Sequence, residues 1–132
     1  MKKTIILLFA LSLIFTGCTK KEELSLNGTV WKGTEKTEQQ GGWTYIYTYT
    51  LIFQKSTFTY IDNSYCVNDT SANWSMTTEG TYVYEHPKVT LIMSDPDYGE
   101  TIITATITGN TMLILWGESF GDQNYLTLTK QQ

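Results

Sequence analysis

No arginine occurs anywhere in the 132 residues; the nine basic residues are all lysine. Arginine supplies most of the bidentate contacts to phosphates and base edges, so its absence speaks against a nucleic-acid partner. The formal net charge of −4 points the same way. Histidine occurs once, at His86, and cysteine twice, at Cys18 and Cys66. That set cannot assemble a zinc site once one thiol is otherwise engaged. No serine or cysteine stands in a nucleophile motif with a second histidine or a strand-turn-helix elbow. A lone histidine beside Pro87 is a weak general base. The expectation is therefore a protein that is not an enzyme and holds no cofactor and no metal.

Long apolar runs are also missing. The longest is Ile5–Phe15, broken only by Ser12. A membrane-spanning helix needs about 20 such residues, so this run is too short to span. Lys2 and Lys3 precede it and polar residues follow at once, the layout of a cleaved secretory signal. The alternative is a buried core helix, which the flanking lysines disfavour. The run ends in Phe15-Thr16-Gly17-Cys18. This tetrapeptide resembles the lipobox of bacterial lipoproteins, with Gly17 and Cys18 at its most restrictive positions and Phe15 where leucine is usual. The resemblance implies cleavage before Cys18, lipidation of its thiol and a membrane as partner through that lipid. Two or three acyl chains anchor stably, whereas one does so only marginally. Lys20-Lys21-Glu22-Glu23 follows. It is either a solvated tether or, by its resemblance to an export tag of Bacteroidetes lipoproteins, a signal for the outer face of the outer membrane. The expected localisation is the outer membrane, on its periplasmic or surface face.

The organisation expected is a signal peptide over 1–17, a lipidated cysteine and tether over 18–27, and one domain over 28–132. Threonine is the commonest residue, and aromatics reach 14%. Both favour strands. From Thr29 onward there is no helical periodicity, only short alternating runs between turn signals. Expected strands are Thr29–Glu35, Trp43–Gln54, Thr57–Ile61, Ala72–Glu85 (bent at Gly80), Lys88–Ser94, Glu100–Thr108, Thr111–Trp116 and Asn124–Lys130. Asp62-Asn63-Ser64 opens a loop that runs to about Ser71. Gly109-Asn110 reads as a two-residue hairpin turn, and His86-Pro87 as a turn because proline cannot join a central ladder. Eight such strands make an all-β, antiparallel up-and-down barrel, the size that side chains just fill or that holds one small ligand.

The stretches "LNGTVWKGT", "YTLIFQKSTFTY", "GTYVYEHPKVTLIM" and "ITGNTMLIL…YLTLTK" resemble the small lipocalin-like domains of bacterial lipoproteins. Gly28-Thr29-Val30-Trp31 is one residue longer than the Gly-x-Trp of lipocalin first strands. The resemblance implies an up-and-down barrel that can hold an internal ligand.

Alternation places Trp43, Tyr45, Tyr47, Tyr49, Leu51 and Phe53 on one face, with Thr44, Ile46, Thr48, Thr50 and Ile52 on the other. Tyr60, Tyr82, Tyr84 and Trp116 are candidates to join the aromatic row. Phenols pair an apolar ring with a polar tip, which suits a pocket for a small hydrophobic or amphipathic ligand. The same rings suit a solid core whose hydroxyls reach water. A solid barrel would instead act through loop aromatics at Trp74, Tyr98 or Phe120, binding a protein or a glycan. "DPDYGE" (Asp95–Glu100) is either a calcium turn or an ordinary turn rich in Asp, Pro and Gly. Cys66, unpaired once Cys18 carries lipid, is either an inert buried residue or a reactive thiol.

Overall fold

The computed structural model describes residues 25–39, 41–119 and 122–132, with the backbone alone at 116–119 and 122–123. Cys18, the signal run and the charged tether lie outside the described residues, as does Phe120.

Eight strands follow one another as an antiparallel meander and close into a barrel, β1 meeting β8. They are β1 (Val30–Glu38), β2 (Thr44–Phe53), β3 (Thr57–Cys66), β4 (Trp74–Glu85), β5 (Lys88–Asp95), β6 (Gly99–Thr108), β7 (Thr111–Ser119) and β8 (Asp122–Lys130). A single 3-10 turn, Thr70–Ala72, interrupts the β3–β4 connection, with Asp69 accepting from Ser71 N–H at its start.

The turns follow from local chemistry. Thr108 pairs with Thr111, leaving Gly109-Asn110 as a two-residue loop whose first position has φ +60°, a conformation that glycine adopts without strain. Glu85 pairs with Lys88 around the cis His86–Pro87 peptide. Asp95 accepts from the N–H groups of Asp97 (2.8 Å) and Tyr98 (3.0 Å) and so shapes its own turn.

Expectation and structure part company at β3. Asp62, Asn63 and Ser64 were expected to open a loop, yet the strand continues through them to Cys66. The reason is cross-strand satisfaction rather than propensity. Asn63 donates to Thr48 Oγ1 on β2 (3.4 Å) and accepts from Ser75 Oγ on β4 (2.6 Å), so its amide joins three strands. The ladder partners on both sides hold the polar run extended. β1 likewise runs on to Glu38, beyond the expected Glu35.

Alternate residues point inward, and the inside divides into two halves. One end carries the chain entry at residues 25–29, the β2–β3, β4–β5 and β6–β7 turns and the C-terminus. This end is packed. Trp31, Leu51, Phe53, Phe58, Val89, Met112, Ile114 and Leu128 are all fully buried there, within one cluster that also takes in Tyr60, Leu91, Ile107 and Leu126. Each such side chain contributes about 1.5–3 kcal/mol of burial. Leu26, expected in the tether, is buried in the same cluster. Its carbonyl accepts from Thr29 N–H (3.0 Å) and from Thr29 Oγ1 (2.7 Å), and Thr29 Oγ1 accepts from Trp31 Nε1 (3.0 Å).

Gly80 lies opposite Phe58 in the ladder. A Cβ there would run into the Ile92 carbonyl and would stand 2.8 Å from the Phe58 ring, so no larger residue fits without movement. Packing of β4 over Phe58 thus requires glycine at the point where a bend was expected.

Candidate functional site

The other end of the barrel is built differently. Here β1, β2, β3 and β4 present cross-strand rows on their inner face. Nearest the packed core is Trp31–Leu51–Tyr60–Thr78. The next row is Gly33–Tyr49–Asp62–Met76, and the one beyond it is Glu35–Tyr47–Ser64–Trp74. At the rim, Thr37, Tyr45 and Cys66 complete the sequence. Aliphatic residues give way to phenols, carboxylates and hydroxyls within two rows.

These inward positions are not sealed. Tyr45, Tyr47, Tyr49 and Asp62 are half-buried, while Trp74 and Met76 remain 46% and 45% exposed. Residues that face the axis of a closed barrel yet meet solvent line a concavity. Among the described residues the barrel is therefore filled at one end and open at the other.

The concavity is acidic. Tyr49 donates to Glu35 Oε2 at 3.2 Å. Asp62 is in register with Tyr49 on the other side. Burial, with a smaller contribution from Glu35, raises the Asp62 carboxyl above its ordinary range. The Tyr49 phenol is pushed up by burial and by Glu35, and that of Tyr60 by burial and then Asp62. Ser64 is 1% exposed, and its Oγ has no hydrogen-bond partner; nor has the buried Asp62 Oδ1. Buried polar atoms are normally satisfied, so two orphaned oxygens on one wall call for an explanation.

The sequence-predicted aromatic row is thus split. Tyr45, Tyr47, Tyr49 and Tyr60 come together in or beside the open half, with Tyr45 and Tyr47 stacked at 6.3 Å and Tyr49 and Tyr60 at 6.5 Å. Trp43 lies at the mouth, just before β2, and is exposed. Tyr82 and Tyr84 belong to the packed end instead. Tyr82 meets Phe53 edge-on at 4.8 Å and donates to the Gln54 carbonyl at 2.8 Å. The Tyr84 hydroxyl lies 2.8 Å from His86 Nδ1. Trp116 is on β7, and its side chain lies outside the described residues.

Glu35, Asp62, Ser64, Trp74 and Met76 were not singled out for the pocket from sequence. Strand pairing is what reveals them. By sequence alone Asp62 and Ser64 fall in a loop, and Trp74 reads as a loop aromatic. Cys66 is free, 3% exposed and buried at the rim, where its N–H donates to Asn73 Oδ1 (2.8 Å). In the Asp95–Glu100 turn the Asp95 carboxylate is taken up by backbone N–H groups. Among the described residues no group of three or more His, Cys, Asp or Glu side chains could hold a metal ion. At the packed end a depression of about 390 Å³ is lined by Asn110, Thr129, Lys130, Gln131 and Gln132, none of them a predicted site residue.

No protein-family model matches the chain, and no curated protein or solved structure matches it significantly. The eight-stranded closed meander is an architecture that fits a lipocalin-like binding fold.

Proposed function

We propose that this chain is a lipid-anchored lipoprotein of the bacterial outer membrane whose barrel binds a small hydrophobic or amphipathic molecule in its open half. The observation that carries the binding reading is the solvent access of Tyr47, Tyr49, Trp74 and Met76, all on the inner face of a closed barrel. Concave, largely apolar sites with a few convergent polar groups are where small molecules bind. The anchor rests on the lipobox resemblance at Cys18. The geometry is compatible with it, because the described chain enters at the packed end, opposite the opening.

Native mass spectrometry of the protein isolated from its own host tests the binding reading. A co-purifying small molecule is expected, and an empty barrel under native conditions counts against it. For the anchor, Cys18→Ser should abolish labelling by a fatty-acid analogue and release the protein from the membrane fraction. Continued labelling would remove that part of the proposal.

A second reading is favoured by the exposure of Tyr98, at 90%, in the β5–β6 turn, and of Trp74 at the start of β4. Exposed aromatics around one end suit a surface that grips a protein or a glycan. Cross-linking in intact cells that depends on Tyr98 but not on Tyr49 would favour it over the pocket.

A further inference from the structure

The open half is unbalanced in charge. Glu35, Asp62, Asp69, Asp95 and Asp97 all lie there, on inner walls or on the loops around the mouth. The lysines of the described residues stand elsewhere. Lys55, Lys88 and Lys130 are at the packed end, and Lys32 and Lys36 alternate with the inward residues of β1 and so point outward. Lys36 pairs on the surface with Glu38 at 3.2 Å. Glu35 and Asp62 therefore share a wall with no cation among the described residues to offset them.

The acceptors on that wall also outnumber its donors. Tyr49 spends its one O–H on Glu35. Asp62 Oδ1 and Ser64 Oγ, the latter on a residue 99% buried on the inner face, have no partner. A serine hydroxyl can donate as well as accept, but a carboxylate can only accept. What this wall lacks is a positively charged group rich in N–H. Around it stand Tyr47, Tyr49 and Trp74, whose ring faces attract cations. Met76 adds an adaptable apolar contact.

We propose that the inner wall of the open half binds an organic ammonium ion, whose N–H groups go to Glu35, Asp62 and Ser64 and whose apolar body lies among Tyr47, Tyr49 and Trp74. The inference rests on the proposed ligand-binding function and narrows it from amphipathic molecules in general to cationic ones. Aqueous metal ions are a poorer fit, because the wall offers aromatic faces rather than a closed ring of oxygens. The acidic mouth would also concentrate cations at the entrance, an effect that added salt weakens.

The test compares three probes that share a phenyl ring and differ in charge: phenethylammonium, phenylacetate and 2-phenylethanol. The full chain is titrated with each, followed by tryptophan fluorescence and ligand-observed NMR. Nile red, a neutral dye, reports independently on whether the concavity takes any apolar molecule. Phenethylammonium is expected to bind at least about tenfold more tightly than either other probe. Asp62→Asn and Glu35→Gln should each remove about tenfold of that preference, with a circular dichroism spectrum matching that of the parent protein as the control for folding. Equal affinity for all three probes overturns the ammonium assignment but leaves the binding function standing, as does Nile red binding without ammonium binding. A preference that survives both substitutions puts the cation elsewhere and overturns the assignment as well. If neither the probes nor Nile red bind, the assignment and the pocket reading fall together.

Discussion

Tyr49 donates its hydroxyl to Glu35 on β1 at 3.2 Å, although the residue in register with it on β3 is Asp62. One phenol thus stands between two carboxylates and satisfies only one of them. Gly33, directly across from Tyr49 on β1, carries no side chain, and the Thr127 carbonyl and the Leu128 side chain occupy the place a Cβ would take. The result is an inner wall on which negative charge is held close to apolar rings with incomplete compensation, and this governs how the fold responds to pH.

Asp62 titrates above the ordinary carboxylate range in the folded state, because of burial and then of Glu35. A raised carboxyl means that folding favours the protonated form. Its contribution to stability is therefore full below the unfolded-state value, about 3.9, and is lost as pH rises through the folded-state value. Urea denaturation midpoints should fall as pH is raised across that interval, as far as this group is concerned. Asp62→Asn should flatten the slope and raise the midpoint at neutral pH. A slope identical in variant and parent would show that Asp62 is solvated as well folded as unfolded.

Gly80→Ala should be destabilising. The added Cβ meets the Phe58 ring at 2.8 Å and collides with the Ile92 carbonyl, and neither a buried ring nor a ladder carbonyl gives way easily. Overpacking of this kind costs about 1–3 kcal/mol. Thermal melting followed by near-ultraviolet circular dichroism should show the loss against the parent protein. Equal melting temperatures for Gly80→Ala and the parent protein would mean that β4 can shift away from Phe58.

Thr29→Val keeps the shape of the side chain and removes its oxygen. Trp31 Nε1 then loses its acceptor inside the packed core, and the Leu26 carbonyl loses one of its two donors. Leaving a buried donor unsatisfied costs about 1–3 kcal/mol. The expected readout is a lower urea midpoint with an unchanged slope. An unaltered midpoint would indicate that the indole N–H reaches another acceptor.

Cys66 should resist thiol reagents in the native protein. It is 3% exposed, and the N–H of its own backbone is tied to Asn73. Ellman's reagent should react with it only on the timescale of unfolding, and rapidly in denaturant. Fast modification under native conditions would refute its burial at the rim.

The fold was legible because β-alternation and turn chemistry agree along most of the chain. Trp43–Phe53 alternates large inward residues with outward threonine and isoleucine for its whole length, and Gly109-Asn110 and His86-Pro87 carry strong turn chemistry. The packed end was legible for the same reason: Leu51, Phe53, Val89, Leu91, Leu126 and Leu128 sit at inward positions and are buried. The site was less so. Asp62-Asn63-Ser64 is locally a turn sequence, and it becomes a strand through the ladders to β2 and β4 and the Asn63 amide shared with Thr48 and Ser75. Without β3 in place, Asp62 and Ser64 cannot be put on the same wall as Tyr49. The aromatic row was read as one surface because periodicity fixes the face of a residue but not its height along the barrel. Tyr82 and Tyr84 share the inward face with Tyr49 yet stand at the opposite end.

The closure of the barrel has a consequence for motion. Among the described residues β1 is in ladder register with β8 at Trp31–Lys130 and Lys32–Thr129, and Gly33 abuts the Thr127 carbonyl and the Leu128 side chain, whereas β1 and β2 pair from Val30 to Glu38. The wall is thus a rolled sheet clasped near one hem, and the clasp joins the first strand to the last. Contacts so distant along the chain carry the largest loop-closure cost and are made late in folding. The unclasped length of β1, from Thr34 to Glu38, includes Glu35. Amide exchange should be faster from Thr34 to Glu38 than around Trp31, so the first strand would peel from its far end before the clasp gives way.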